Sequence, residues 1–236
     1  MMDLRFIVTG HGRSGTKWLA RLLNDATTDV IVHHEPLVQF DAAHYARVYS
    51  GALDPREFVA ERERRMQAIW ARFPNRGYAE VNGYLRYCVP ELRDHFNVHV
   101  VAIVRDGRFV ARSLLARGCY QRPGYPPIRP PVTLAPFAAC CWYWADTYRR
   151  LVGQGVPIWR LEDLNEDFGV YVNLCQALDF EADHYTWEQH AGKRLNVSIK
   201  DEELPAWGAD ECEAFEGLAG DVQDRFGYEA PIAMEG

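Results

Sequence analysis

Residues 5–18, Arg5-Phe-Ile-Val-Thr-Gly-His-Gly-Arg-Ser-Gly-Thr-Lys-Trp18, constrain the fold more than any other stretch of the chain. An apolar run, Phe6 to Val8, leads into a glycine-rich turn, and an amphipathic pattern with Trp18, Leu19, Leu22 and Leu23 follows at once. This predicts a strand, a tight turn and a helix, because glycine reaches backbone conformations closed to other residues and apolar spacings of three and four mark one helix face. A helix start leaves its first N–H groups without intrahelical partners, all directed at one spot. Arg13, Ser14, Thr16 and Lys17 add cations and hydroxyls there. Such a turn is a cradle for a tetrahedral anion, phosphate or sulfate.

Three motifs compete for this spelling. Gly10-x-Gly12-x-x-Gly15 satisfies the dinucleotide fingerprint of an oxidoreductase, with Glu35 about 20 residues on, where a ribose-binding acid belongs. Against it, Arg13, Thr16 and Lys17 stand where dinucleotide turns use small apolar residues. The same glycines frame the triphosphate loop G-x-x-x-x-G-K-[ST]. There the next two residues, Thr16-Lys17, come in reverse order, which removes the hydroxyl that would hold Mg²⁺. A Mg-dependent nucleotide kinase on this loop would use Asp106 as its strand-end metal ligand.

The third motif is a resemblance. Gly12-Arg-Ser-Gly-Thr-Lys-Trp18 resembles the 5′-phosphosulfate loop of sulfotransferases that use 3′-phosphoadenosine 5′-phosphosulfate (PAPS) and release 3′-phosphoadenosine 5′-phosphate (PAP). A second block supports it. Val98 to Val104 is a near-continuous β-branched run, as in a buried parallel strand, and it ends in Arg105-Asp-Gly-Arg108 with Ser113 on the following helix. The family's 3′-phosphate site is an Arg at a strand end and a Ser eight residues later, the spacing of Arg105 and Ser113. A guanidinium fork suits a terminal phosphate bidentately. A third, weaker block, Ile158-Trp-Arg-Leu-Glu-Asp-Leu164, is similar to the family's strand-then-YEDL segment, with Leu161 where tyrosine is common.

The resemblance implies sulfuryl transfer to a hydroxyl or amine acceptor, a small molecule or a carbohydrate, with no metal. Gly12, Arg13, Ser14, Gly15, Thr16, Lys17 and Trp18 would hold the 5′ end of the donor, and Arg13 would stabilise the leaving phosphate. Lys193 and Arg194 would reach the 3′-phosphate. Glu35, in His33-His-Glu-Pro36 after the second strand, matches a catalytic glutamate found in several branches; His34 is a substitute and Glu80 a further candidate. A cofactor-binding module without catalysis fits the same residues.

The rest of the chain is consistent with one α/β domain over residues 1–236. Strands are expected near 5–9, 30–34, 78–82, 98–104 and 156–160, and helices near 15–25, 54–72, 83–95, 107–117, 134–152, 166–178 and 209–226. Alternation of this kind predicts three layers, a central parallel sheet flanked by helices, as in nucleotide-binding loop folds. Ligands in such sheets bind beyond the carboxyl ends of the strands. A net charge of −7 gives a nucleic-acid partner no general support, so local cations must hold an anionic cofactor. No apolar run approaches the ~20 residues of a membrane span, no secretory leader is expected before the first strand, and six cysteines without zinc spacing fit the expectation of a cytoplasmic enzyme. The proline-rich stretch 118–136 is expected to be a connector or an acceptor lid.

Overall fold

The computed structural model describes residues 3–193 and 207–231. The chain packs as two compact units, residues 1–104 with 151–195, and residues 105–150 with 196–236. The first holds the whole sheet: β1 (Leu4–Gly10), β2 (Val30–His34), β3 (Gly77–Val81), β4 (His99–Val104) and β5 (Ile158–Arg160). They lie in the order β2-β3-β1-β4-β5, and every pairing is parallel. The expected parallel sheet is therefore the observed one.

Helices cover both faces of this sheet. On one face Phe6, Val8, Val30, Val32, Ala79, Val81, Val101 and Ile103 form a buried core with α1 (Thr16–Asp25), α7 (Leu161–Glu166), α8 (Phe168–Ala177) and α9 (His184–His190). Leu19, Leu22 and Leu23 put the apolar stripe of α1 into that core, as their spacing requires. Against the opposite face pack α3 (Pro55–Trp70) and α4 (Val89–Phe96), with α2 (Val38–Tyr49) running beside them. Asp54 caps α3 by accepting from the Arg56 N–H at 2.8 Å, with Pro55 in the first turn.

Register matters most for the site. Val81 at the end of β3 pairs with Val8 of β1 on one side and His34 of β2 on the other. The turns leaving these three strands therefore start side by side at one edge. Gly10 pairs with Ile103, and the carbonyl of Ile103 would lie 2.5 Å from a Cβ placed on Gly10, whose φ is 151°. Only glycine lets the two strands close there.

Two expectations are corrected. The helix expected over 83–95 is a 3-10 turn, Gly83–Tyr87, followed by α4, with a break at Cys88. Pro90 has no N–H to donate back across that break, so the helix restarts around it. The helix expected over 166–178 is observed as α8, which starts at Phe168 because the Asp167 carboxylate caps it through the Gly169 N–H at 2.7 Å. Helices α2, α7 and α9 were not anticipated; α2 buries Asp41 together with Tyr45 and Val48, and a buried acid conceals the apolar stripe.

The second unit is built from α5 (Gly107–Ala116), most of α6 (Pro136–Gly153) and α10 (Ala209–Arg225). Trp144 stacks on Phe215, and Trp207 packs on Phe215 and Phe137. The proline-rich connection folds back within this unit. Tyr120 donates its hydroxyl to the Ile128 carbonyl at 3.0 Å and meets Tyr143 edge-on, burying Ile128 and Pro126. Among the described residues no helix is long and apolar enough to cross a membrane.

Candidate active site

The turn after β1 reaches α1 through two left-handed residues, Arg13 (φ 77°) and Gly15 (φ 82°). Ser14 closes it by donating its N–H to the His11 carbonyl at 3.2 Å. Gly15 is the N-cap of α1, and no side chain caps the helix. The first N–H groups of α1 therefore stay available to an anion. A Cβ on Gly15 would lie 2.6 Å from two methyl carbons of Leu161, so the segment similar to YEDL packs directly against the turn. A non-glycine residue held at positive φ, as Arg13 is, is a feature of functional turns.

Not every residue of the loop faces outward. Lys17 is exposed and Arg13 half-buried, while Ser14 and Thr16 are buried. The Trp18 side chain lies in the core, with its indole N–H donated to the His190 carbonyl at 3.1 Å. Its expected contact with cofactor is thus corrected: the ring is a packing group, and only its backbone N–H belongs to the helix start. His11 is fully buried with Nδ1 2.7 Å from the Gly12 carbonyl, and burial drives its pKa down to about 3, helped by the nearby Arg86 cation.

Two expected residues meet this loop from β2. His34 Nε2 lies 3.1 Å from Thr16 Oγ1, and burial, with the Lys17 charge, lowers its pKa to about 4. It is a neutral imidazole at physiological pH, already engaged. Glu35 follows with φ 48°, its N–H bonded to the Val81 carbonyl at 3.2 Å. Burial raises its carboxyl pKa, a hydrogen bond from the Gly83 backbone and the Arg86 charge pull it back, and Asp41 raises it further. A carboxyl so tuned suits proton transfer near neutral pH better than an ordinary one.

Behind Glu35 lies a buried polar cluster. Arg62 donates to Asp41 at 3.1 Å and also to Glu80, and Asn82 Nδ2 donates to Asp41 at 2.8 Å and Glu80 at 3.3 Å. Glu80, the further base candidate, is thus committed to Arg62 on the α3 side of the sheet. The cluster also anchors the site, since Asn82 accepts from the Tyr84 N–H at 3.0 Å and its carbonyl takes the Thr9 hydroxyl at 2.9 Å. Arg62, Asp41 and Arg86 were not singled out from sequence. Arg86 comes three residues after Gly83 inside the 3-10 turn, and nothing in a linear pattern reveals that turn.

In the second unit Arg105 and Ser113 bracket the start of α5. The Arg105 guanidinium lies over the Phe109 ring at 5.1 Å, its carbonyl accepts from the Trp144 indole at 3.2 Å, and Ser113 is buried on the helix. A Cβ on Gly107 would lie 2.8 Å from the Trp144 ring, which explains the glycine of Arg-Asp-Gly-Arg. Asp106 accepts from the Arg108 N–H at 2.9 Å, the Arg108 guanidinium at 2.6 Å and Gln223 at 2.9 Å. It caps and clamps α5, so the residue a kinase would use for metal has other work. Lys193 is exposed just after α9, and Arg194 lies outside the described residues.

No family model and no curated protein sequence matches the chain. Solved structures do. A sulfotransferase domain from the curacin biosynthetic pathway aligns with TM-score 0.59 and 12% identity over 98% of this chain and 99% of that one. A sulfotransferase from Alicyclobacillus acidocaldarius aligns with TM-score 0.54 and 13% identity over 97% and 98%. A mouse sulfotransferase solved in complex with PAP aligns with TM-score 0.54 and 13% identity over 97% of this chain and 87% of that one. The chain has the α/β fold in which these sulfotransferases are built.

Proposed function

We propose that this protein transfers a sulfuryl group from PAPS to a hydroxyl or amine acceptor. The observation that carries the reading is the uncapped start of α1 after a cation-bearing turn, with the Glu35 carboxyl just past the end of β2 on the same side of the sheet as that turn. The shared fold supports it, and among those neighbours the mouse enzyme holds PAP. In the reaction the acceptor oxygen or nitrogen forms a bond to sulfur as the bond from sulfur to the bridging phosphate oxygen breaks. The acceptor proton passes to Glu35. The charge left on the 5′-phosphate is met by Arg13, Lys17 and the backbone N–H groups of residues 15–18, which are fixed in advance and need no reorganisation. Arg13 stabilises charge and does not donate a proton, since a guanidinium stays ionised near neutral pH. Arg105 and Ser113 are read as the grip on the 3′-phosphate. Glu35 is preferred to His34 as base because burial and the Lys17 charge, lowering the imidazole pKa to about 4, make it a weak proton acceptor, and its Nε2 already lies 3.1 Å from Thr16 Oγ1.

Calorimetric titration with PAP and with Mg·ATP tests the reading, followed by an acceptor screen with sulfur-labelled donor. Tighter binding of PAP, weakened at least tenfold in Arg105→Ala (about 1.4 kcal/mol), is expected. Preference for Mg·ATP, or an Arg105→Ala variant that binds PAP like wild type, would overturn it.

A further inference from the structure

Glu35 is held by a residue that makes no direct ion pair with it. Gly83, buried at the start of the 3-10 turn, faces three partners: a Cβ there would lie 3.3 Å from the Gly10 carbonyl, 3.5 Å from Glu35 Oε1 and 3.8 Å from the Gly12 nitrogen. Its N–H serves the Glu35 carboxyl. Its carbonyl takes Nη1 of Arg86. The guanidinium in turn sits over the rings of Tyr45 at 5.3 Å and Tyr87 at 4.6 Å, with the side chain buried. A cation stacked on two aromatic faces and bonded to a backbone carbonyl has little freedom. Arg86 holds the Gly83 carbonyl, and Glu35, at positive φ, meets the N–H of the same residue.

We propose that Arg86 is a positioning residue for Glu35, fixing Gly83 by its carbonyl and supplying the positive charge that together keep the carboxylate aimed at the acceptor. This rests on the reading of Glu35 as the acceptor base. Arg86 touches neither donor nor acceptor in this scheme and acts through Gly83. The charged and titratable groups around Glu35 are Arg86 from the 3-10 turn, Asp41 from α2 and His34 of its own strand, whose Nε2 lies 3.9 Å from Oε1. Beyond them, His11 of the loop faces Arg86, and Lys17 of α1 faces His34.

The test titrates the side-chain carboxyl of Glu35 by carbon-13 NMR in the free protein, with Glu35→Gln assigning the signal. Arg86→Met is expected to raise the Glu35 midpoint by about one pH unit, and the acid limb of kcat/KM for sulfuryl transfer by the same amount. PAP affinity stays within about twofold. Arg86→Lys keeps the charge but not the planar fork, so its midpoint stays near wild type while kcat falls about tenfold. An unmoved midpoint in folded Arg86→Met overturns the inference, as does wild-type kcat in Arg86→Lys if the methionine variant does not fold. The titration needs neither donor nor acceptor. A shifted Glu35 in a protein that transfers nothing supports the Arg86 hold and removes the proposed reaction; an unshifted Glu35 in an active enzyme does the reverse.

Discussion

Replacing Arg62 with methionine isolates the polar cluster behind the site. Arg62, Asp41 and Glu80 have side chains 2%, 0% and 1% exposed, so water reaches none of them. Methionine keeps the length and apolar bulk of the stem and deletes the cation. Two carboxyls then share Asn82 Nδ2, at 2.8 Å and 3.3 Å, among the donors described around them. Removing one partner of a buried ion pair costs about 3–5 kcal/mol. For a chain of this size that corresponds to a fall in Tm of about 6–20 °C. The loss depends on pH in a definite direction. Burial already raises the Glu80 carboxyl above its ordinary value, and Arg62 is what opposes the rise. Without Arg62 the folded-state pKa climbs further, and a group with a raised folded pKa favours folding below its unfolded pKa and loses that contribution as pH rises through the folded one. The deficit should therefore be smallest near pH 5 and largest near pH 8. Urea unfolding followed by circular dichroism at both pH values measures it. Arg64→Met, which breaks an exposed pair with Glu61 on the same helix, serves as control and should cost no more than about 0.5 kcal/mol. A loss below about 1 kcal/mol, or one equal at both pH values, would refute the assignment of this cluster as a charge-paired anchor.

Other outcomes follow from the same geometry. Glu35→Gln should lower kcat by about 10²–10⁴-fold at unchanged PAP affinity, measured by labelled-sulfate transfer and calorimetry. Because the Glu35 carboxyl is raised by burial, the same variant should gain Tm near pH 8 and none near pH 4; equal scans at both would contradict the burial argument. Activity should fall as pH drops through the Glu35 pKa, with no second limb from His34, which is neutral above about 4. Gly15→Ala puts a Cβ 2.6 Å from Leu161 at φ 82°; PAP binding should weaken at least tenfold, and Leu161→Ala should recover only part of it because the backbone strain of about 1 kcal/mol persists. Asp106→Ala removes the cap and the Arg108 clamp of α5, and urea titration should record a loss of about 2–4 kcal/mol.

The strand–turn–helix at 5–18 was readable because its signals are local: a β-branched run, glycines where positive φ is needed, and an apolar stripe with one period. The buried strand at 99–104 was readable for the same reason. The cluster of Asp41, Arg62, Glu80 and Asn82 was not, because its members lie up to 41 residues apart and charged residues ordinarily signal a solvated surface. Trp18 shows the opposite failure. An aromatic beside a binding loop suggested a ligand contact, yet the phase of α1 turns the indole inward to His190.

From the order of residues alone came a glycine-rich, cation-bearing turn, a parallel sheet and the chemical identity of the groups at its edge, since each depends on neighbours within a few positions. Tertiary structure decided how three acids are partnered. Asp41 and Glu80 are bonded to Arg62 inside the molecule, and Glu35 lies at the end of β2 near the turn, where it feels the Arg86 charge. Register and burial make that choice, because a carboxyl's chemistry follows from its distance to charge and water, and folding sets both.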